Sequence, residues 1–421
     1  MQHKVITPKE KKVVLENFAS LSTLQGINYL LPLLVLPYLV RVIGPEKFGL
    51  IAFAQSFIQY FMIITDYGFS LSATRKISLC RKKEEASTVF SSVMTVKFIL
   101  ASLSYLVLLV LINTIPKFRS DWLLYLFSFG AVIGNTLFPV WFFQGTEKMK
   151  YIAIINIAGG LIYAGSVFIF VRTPADYLLV PLLNSLFFII TGIFGLYVAF
   201  KEFSLEFIFQ SYSDIKLELK TGWDIFISTI AINTYTTTRI FAVGLLTNNI
   251  ITGYYSIAEK ITGVIQTFPL ASLSQAIYPR LSNIFAKSKR RAQNLMQKVQ
   301  HSTTLAYLLA IPVIFFISPL IVKIACGKIF PEVVLSLKML LLSIFFISAN
   351  AFKVQFLLVC GRPDIYSRIH ILAALLGLPL IFIFICYFSF LGAAAATITI
   401  EAIIFISTSQ ILYALTNKPK R

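Results

Sequence analysis

The chain of 421 residues carries a net charge of +19, yet only 13% of its residues are charged and 57% are hydrophobic. A water-soluble protein of this length could not cover its surface with so few charged side chains, so the composition excludes the soluble class. Apolar runs of about 20 residues, each long enough to cross a bilayer as a helix, recur along the whole chain. We therefore predict an all-α polytopic membrane protein.

The first twelve residues contain no short apolar core followed by a small-residue cleavage site, which predicts a retained cytoplasmic arm rather than a signal peptide. Behind this arm, the apolar runs predict twelve transmembrane helices. They lie near residues 14–40, 47–70, 88–112, 122–144, 151–171, 177–200, 223–246, 251–275, 300–322, 333–358, 366–387 and 392–415. An even number of spans places both termini on the same side of the membrane.

The distribution of Lys and Arg selects that side. If the N-terminus is inside, roughly 25 of the 37 Lys and Arg residues lie in inner arms and loops, and about seven lie in outer ones. Because cytoplasmic loops carry the excess of positive charge, we predict that both termini are cytoplasmic. This distribution also explains most of the net charge of +19, so nucleic acid is not a predicted partner.

A polar segment at residues 201–221 divides the chain midway, with six predicted spans on either side. We predict an N-terminal lobe at residues 1–200, a cytoplasmic linker at 201–221 that forms an amphipathic surface helix, and a C-terminal lobe at 222–421. The lobes look like weak copies of each other, since Gly49–Ser56 aligns with Gly253–Lys260. Two copies of six spans have the same orientation, which predicts a pseudo-two-fold axis along the membrane normal with the transport path between the lobes.

The costliest residue of the predicted span 223–246 is Arg239. An arginine near mid-membrane costs at least ~2.5 kcal/mol, so it normally faces a cavity or a partner. Polar residues precede it at helical spacing on one side of the span: Asp224, Ser228, Tyr235 and Thr236. This pattern favours a water-filled path. The alternative is snorkelling of Arg239 to the outer interface, which begins roughly 10 Å away along the helix.

Charged side chains inside the predicted spans are mostly basic. Lys338 lies near the outer end of its span and can snorkel, so we leave it out. The remaining basic residues form a predicted cationic cavity that suits an anionic passenger, such as a phosphate or an acidic sugar: Arg239, Lys97, Lys260 and Lys353.

Acidic residues are candidates for carrying a coupling proton or sodium ion. Glu259 and Glu401 lie inside predicted spans, and Asp66 lies near the inner end of the second span. A structural function is the alternative. Glu259 could neutralise the adjacent Lys260 or a lysine on another helix, and Asp66 could pair with an arginine or lysine of the following loop.

No pattern in the sequence predicts catalysis. The four cysteines and three histidines show neither metal-ligand spacing nor a cluster, and no predicted outer loop exceeds about a dozen residues. A membrane-embedded glycosyltransferase or polymerase is expected to carry a larger loop with paired carboxylates or a metal motif. We therefore predict neither an enzyme nor a bound metal or organic cofactor.

Segments in both halves of the chain resemble those of bacterial polysaccharide transporters. They are Val42–Phe53 (VIGPEKFGLIAF), Thr65–Ser78 (TDYGFSLSATRKIS), Phe138–Ile152 (FPVWFFQGTEKMKYI) and Tyr254–Ser282, which contains YYSIAEKI and SQAIYPRLS. In length, span number and motif order the chain is similar to Wzx-type O-antigen or polysaccharide repeat-unit flippases. These belong to the multidrug/oligosaccharidyl-lipid/polysaccharide exporter superfamily.

This resemblance implies two six-helix lobes that work by alternating access around a cationic lumen. It implies that the passenger is an undecaprenyl-diphosphate-linked oligosaccharide, moved from the cytoplasmic to the periplasmic leaflet of the bacterial inner membrane. The implied partners are that lipid-linked passenger, membrane lipid, a polysaccharide polymerase and a chain-length regulator. The alternative within the superfamily is an ion-coupled exporter of drugs or other small molecules.

Overall fold

A computed structural model describes the backbone of residues 8–417 and the side chains of residues 31–414, apart from ten positions inside helices. Those positions are Asp224, Ser228, Ile232, Thr234, Phe268, Ser272, Gln275, Ala276, Pro279 and Pro363. Within this described range the chain forms thirteen α-helices, a 3-10 helix and no strand, so the all-α prediction is confirmed. Most of the predicted N-terminal arm lies outside the described residues.

The helices alternate with short connections. In the first half of the chain they are α1 (Pro8–Asp66), α2 (Phe69–Leu79), α3 (Lys83–Thr114), α4 (Pro116–Arg119), α5 (Trp122–Leu137), α6 (Val140–Gly145), α7 (Met149–Phe170), the 3-10 helix Pro174–Leu178 and α8 (Leu179–Phe203). In the second half they are α9 (Tyr212–Leu246), α10 (Asn249–Lys287), α11 (Lys289–Cys326), α12 (Pro331–Val359) and α13 (Pro363–Asn417).

Eight segments of the described chain are long and apolar enough to cross a bilayer, which confirms a polytopic membrane protein. Two of them, Leu31–Leu79 and Asp364–Ala414, contain 49 and 51 residues. At 1.5 Å per residue each spans roughly 75 Å of helix, more than twice the thickness of ~30 Å of the hydrocarbon layer. The helices α9 and α10, which contain the predicted spans 223–246 and 251–275, are not among the eight.

The long helix α1 is interrupted at Gly44, within the sequence Gly-Pro-Glu. Gly44 has φ 74° and ψ 165°, a left-handed φ that a residue with a side chain rarely adopts. Pro45 follows, and its fixed φ suits the first turn of a new helix. The helix α13 has a similar non-helical residue at Ser389, with φ 53° and ψ −136°.

The chain forms two compact units. Unit 1 contains the residues up to Val35 together with Ala54–Ile230, and unit 2 contains Leu36–Phe53 together with the residues from Ala231 onward. The middle of α1 therefore packs with the second half of the chain, although it belongs to the first half in sequence. The predicted division into lobes at residues 1–200 and 222–421 stays a prediction.

Glycines allow the middle of α1 to approach α10 closely inside unit 2. A Cβ atom built on Gly253 would lie 1.9 Å from the carbonyl oxygen of Pro45, and one built on Gly49 would lie 1.9 Å from that of Asn249. No side chain fits into either gap, so the backbones themselves are in contact. Small residues at such crossings are the usual means by which helices associate in membranes, where lipid provides no hydrophobic driving force.

The core of unit 1 is an aromatic cluster around the short helix α6. Trp141, Phe142 and Phe143 are buried there together with Phe90 of α3 and Phe69 of α2. Pro139 comes immediately before α6 and separates it from α5, so consecutive aromatic side chains can point into the core from a short helix.

The predicted amphipathic helix at residues 201–221 is wrong in its middle. The helix α8 ends at Phe203, and α9 begins only at Tyr212. Between them, the backbone N–H groups of Glu206 and Ile208 donate to the hydroxyls of Ser87 and Ser91 on α3, at 3.1 and 2.9 Å. These hydroxyls bind backbone N–H groups that would otherwise bond within a helix, so the segment packs against α3 in a non-helical conformation.

Candidate functional site

Arg239 of α9 forms an ion pair with Glu259 of α10 inside unit 2. Its Nη2 lies 3.0 Å from Glu259 Oε1, and each of the two side chains keeps 19% of its accessible surface. Its Nε donates to the carbonyl of Thr236 at 3.3 Å, and its Nη1 donates to Thr397 Oγ1 of α13 at 3.3 Å. Every nitrogen of the guanidinium therefore has a protein partner, and these partners come from three helices.

A tight connection between α9 and α10 brings the two charges together. The helix α9 ends at Leu246, and Asn248 caps α10 by accepting a hydrogen bond from the N–H of Ile251 at 2.9 Å. Arg239 precedes this turn by seven residues and Glu259 follows the cap by eleven. Helices that leave and return through a short turn run antiparallel, so the two side chains lie at similar depth.

The helix α13 adds a second carboxylate to this site. Glu401 lies one helical turn after Thr397 and is within electrostatic range of Arg239. Thr397 also donates its hydroxyl hydrogen to the carbonyl of Ala393 at 2.8 Å, which holds its oxygen toward Arg239 as an acceptor. The arginine is thus accompanied by two acidic side chains, whereas the sequence pattern had indicated an excess of positive charge.

The polar residues predicted to precede Arg239 on one side of its helix do not all face the same surface. Tyr235 is buried, and its hydroxyl lies 3.2 Å from His370 Nδ1 of α13, with the two rings stacked. Thr236 donates its hydroxyl hydrogen to the carbonyl of Asn233 at 3.0 Å. The side chains of Asp224 and Ser228 lie outside the described residues.

Lys260 and Lys353, two further members of the predicted cationic cavity, also lie in unit 2. Lys260 is exposed, and its Nζ lies 5.1 Å from the ring centroid of Phe48. Lys353 of α12 donates to Ser409 Oγ at 2.9 Å and lies 4.2 Å from the ring centroid of Phe405, both on α13. A cation–π contact of this kind stabilises an ammonium group.

Lys97, the fourth predicted cation, lies in unit 1 and has an exposed fraction of 2%. Its Nζ donates to the carbonyl of Asn135 at 3.2 Å. In a regular helix that carbonyl would accept from residue 139, but Pro139 has no N–H, so the lysine binds a backbone oxygen that the proline leaves without its helical partner. Asp66, at the end of α1, is within electrostatic range of Lys97.

One of the basic residues that follow Asp66 is engaged elsewhere. Lys76 of α2 binds both carboxylate oxygens of Glu218 in the first turns of α9, each at 2.8 Å. Beside this pair, the hydroxyl of Tyr67 donates to the carbonyl of Leu219 at 3.2 Å, and its ring stacks on Phe226 at 4.3 Å. The start of α9 is therefore fixed to α2 within unit 1.

Gln300 is a buried polar residue that sequence reasoning did not single out. Its Nε2 on α11 donates to the carbonyl of Ser348 at 2.6 Å, and its Oε1 accepts from the N–H of Phe352 at 3.0 Å, both on α12. These two backbone groups are four residues apart and pair with each other in a regular helix. The amide thus joins α11 to α12 beside Lys353. The only signal in the sequence was an amide side chain at the start of an apolar run.

The chemistry available at these positions is charge pairing, anion binding and proton carriage. Among the described residues, no group of three or more His, Cys, Asp or Glu side chains lies close enough to hold a metal ion. Arg239 can bind carboxylate or phosphate oxygens with two parallel hydrogen bonds, and the nearby carboxylates can accept protons.

Comparison with known proteins extends this description. The profile of the family "Polysaccharide biosynthesis protein" matches residues 14–285. A protein of Escherichia coli (strain K12) that carries the name "Putative O-antigen transporter" is 30% identical over 404 residues, which cover 96% of this chain and 97% of the relative. A protein of the same name from Shigella dysenteriae is 27% identical and covers 93% of this chain and 98% of the relative.

Solved structures share the fold at low sequence identity. The lipid II flippase MurJ, in an inward closed conformation, has a TM-score of 0.74 at 12% identity and covers 94% of this chain and 87% of its own. An inward-facing multidrug resistance MATE family transporter of the MOP superfamily also has a TM-score of 0.74, at 14% identity, and covers 93% and 96%. The matches to the family and to the relatives span most of the sequence and agree with the resemblance to polysaccharide repeat-unit flippases. We conclude that the chain belongs to the polysaccharide biosynthesis protein family and that it is a membrane transport protein rather than an enzyme.

Proposed function

We propose that this protein is a flippase that moves a lipid-linked oligosaccharide from the cytoplasmic to the periplasmic leaflet of a bacterial inner membrane. The observation that carries the proposal is the match to the two relatives named O-antigen transporter, which extends over 96% and 93% of this chain. The fold that this chain shares with the lipid II flippase MurJ agrees with a lipid passenger.

The passenger would be an undecaprenyl-diphosphate-linked repeat unit, bound in a cationic central cavity that opens to one leaflet at a time. A diphosphate needs positive partners inside the membrane, and the basic residues proposed for this purpose are Arg239, Lys97, Lys260 and Lys353. In the structure Arg239 pairs with Glu259, and the three lysines contact a backbone carbonyl, an aromatic ring and a serine hydroxyl respectively. The proposed partners are the lipid-linked passenger, membrane lipid, a polysaccharide polymerase and a chain-length regulator.

The proposed topology has twelve spans and two cytoplasmic termini. Leu31–Leu79 and Asp364–Ala414 are each long enough for two crossings and each contain a non-helical residue, Gly44 and Ser389 respectively. Six further apolar segments, together with α9 and α10, complete the proposed count. The excess of Lys and Arg in the proposed inner loops supports the orientation.

Transport is proposed to depend on a proton or sodium gradient, with Glu259, Glu401 or Asp66 carrying the ion. Full transport by the Glu259→Gln, Glu401→Gln and Asp66→Asn variants in proteoliposomes would refute this proposal. The runner-up function is an ion-coupled exporter of drugs or other small molecules, because multidrug resistance transporters share the fold.

A flippase-null strain tests the proposal. Wild-type protein should restore surface polysaccharide on a gel, normalised to protein abundance by blot. Arg239→Lys should retain part of this activity, Arg239→Ala little and Arg239→Glu none, because each contact of arginine with a charged oxygen is worth ~1.5–3 kcal/mol. If Arg239 only snorkels, Arg239→Gln complements almost fully. Wild-type polysaccharide from Arg239→Ala at equal abundance would refute its proposed contact with the passenger.

The same strain separates the two functions. A wild-type chain that restores no polysaccharide but lowers the accumulation of a dye or drug in the cells would favour the exporter. Restoration of polysaccharide without any change in drug accumulation favours the flippase.

A further inference from the structure

The arginine best suited to bind an anionic passenger already holds an anion. Arg239 Nη2 lies 3.0 Å from Glu259 Oε1, while Nη1 and Nε are bound to Thr397 and to the carbonyl of Thr236. A phosphate that binds with two parallel hydrogen bonds needs two adjacent guanidinium nitrogens. Each of these nitrogens already has a protein partner, so an arriving phosphate either shares the guanidinium with these partners or displaces one of them.

The charges around Arg239 show which of these partners opposes the binding of an anion. With Glu259 and Glu401 both ionised, two negative charges surround one guanidinium, and an approaching phosphate is repelled. A proton on Glu259 removes one of these charges and ends its ion pair. Thr397 and Thr236 are neutral, so their release would leave the repulsion unchanged.

Several other titratable groups lie on the neighbouring helices. Lys260, next to Glu259 on α10, faces the ring of Phe48, and Lys353 of α12 is bound to Ser409. Tyr255, which is buried one turn before Glu259, acts electrostatically on both Arg239 and Glu259, whereas His370 of α13 meets Tyr235 and the basic residues of α11 lie near its two ends. Among these described groups, Glu401 is the second carboxylate that acts on Arg239.

We propose that Arg239 binds Glu259 and the anionic group of the passenger in alternation, and that Glu259 takes up one proton when the anion binds. The proton comes from water on the side to which the site is open and forms an O–H bond on the Glu259 carboxylate, while Arg239 stays protonated throughout. The inference rests on the proposed function. Within that function it assigns Glu259 as the carboxylate that is protonated when the passenger's anion binds.

Proton binding at Glu259 and anion binding at Arg239 are reciprocal by thermodynamic necessity, so each must strengthen the other by the same factor.

Binding of inorganic diphosphate to the purified protein in lipid nanodiscs tests this linkage by calorimetry. At about pH 8 the Glu259→Gln variant should bind diphosphate about tenfold more tightly than wild type, since the competing charge is gone. This difference should shrink toward about pH 6, where wild-type Glu259 is more often protonated. Free diphosphate also changes its protonation between these pH values, but it does so equally for every variant. The difference in affinity between variants therefore reports on Glu259 alone.

Two variants serve as controls. Glu206→Gln breaks an exposed ion pair with Lys83 that is also 3.0 Å long, and it should bind like wild type at both pH values. Arg239→Gln should lose most of the binding, alone and together with Glu259→Gln. Equal affinities of wild type and Glu259→Gln at about pH 8, or weaker binding by Glu259→Gln, would overturn the proposal.

A second measurement covers the case in which Glu259→Gln does not fold. Sulfate does not titrate near neutral pH, so its binding to wild-type protein in weak buffer should take up about one proton per anion, and its addition to Arg239→Gln should take up none. Wild-type binding of sulfate without proton uptake would contradict the proposal.

Complementation of the flippase-null strain keeps the two proposals apart. Failure of the wild-type chain to restore polysaccharide would refute the flippase function but leave the measured linkage intact. Restoration by a wild-type chain whose diphosphate affinity matches that of Glu259→Gln would refute the linkage alone.

Discussion

Replacing Arg239 with glutamine should destabilise the protein by an amount that depends on pH. The substitution leaves Glu259 without the guanidinium that lies 3.0 Å away, in a site where each side chain keeps only 19% of its accessible surface. Removing one partner of a buried ion pair costs about 3–5 kcal/mol, because the other charge remains out of water.

A glutamate can reduce this loss by binding a proton. A glutamate in water titrates near ~4.3, and each pH unit above that value adds about 1.4 kcal/mol to the free energy of protonating it. Protonation of Glu259 therefore limits the stability lost in Arg239→Gln to roughly 3.7 kcal/mol at about pH 7 and to roughly 1.6 kcal/mol at about pH 5.5. The penalty of Arg239→Gln should fall by about 2 kcal/mol over this range.

The reciprocal substitution should behave differently. Glu259→Gln leaves a guanidinium that keeps its hydrogen bonds to Thr236 and Thr397 and lies within range of the Glu401 carboxylate. We expect a smaller loss of about 1–3 kcal/mol that hardly changes with pH, since arginine does not lose its proton. The double variant should be more stable than the sum of the single losses predicts, by at least about 1 kcal/mol.

The experiment measures the free energy of unfolding of the wild type, the two single variants and the double variant at both pH values. Each protein is titrated with a denaturing detergent in mixed micelles. The exposed pair Lys83 and Glu206, cycled through the same glutamine substitutions, is the control and should show a coupling of about 0.5 kcal/mol or less. Additive losses for Arg239 and Glu259, or an Arg239→Gln loss that is equal at both pH values, would refute the reasoning.

Further predictions concern packing and topology. Gly253→Ala should lower stability by about 1–3 kcal/mol, because its Cβ would meet a backbone carbonyl at 1.9 Å, whereas Gly263→Ala, which meets nothing within 4 Å, should be neutral or stabilising in the same unfolding assay. Gln300→Leu should cost about 1–3 kcal/mol by removing the amide that bridges α11 and α12, and the exposed Gln297→Leu should change stability by less than about 0.5 kcal/mol. Reporter fusions should score as periplasmic after Lys117, Asp176 or Asn248 and as cytoplasmic after Lys83, Lys289 or Arg421; reversal at two of these sites would end the twelve-span topology.

The sequence by itself determined the class of protein, its family and several local features. Lipid as a solvent forces every backbone polar group to be satisfied within a helix, so apolar length alone identifies membrane helices. Gly44 and Pro45 marked the break in α1, since a left-handed φ and a missing N–H act within one or two residues. Features of this kind depend only on neighbours along the chain.

The tertiary structure decided which charges meet. The sequence placed Glu259 beside Lys260, but consecutive residues on a helix point about 100° apart, and the packing of α10 against α9 and α13 directs Glu259 to Arg239 instead. Lys97 likewise binds a carbonyl 38 residues away that Pro139 leaves without its helical partner. The membership of Leu36–Phe53 in unit 2 also depends on close contact between distant glycines. Helix rotation and crossing are set by side chains far apart in sequence, so a linear pattern lists the charged groups of this protein but does not pair them.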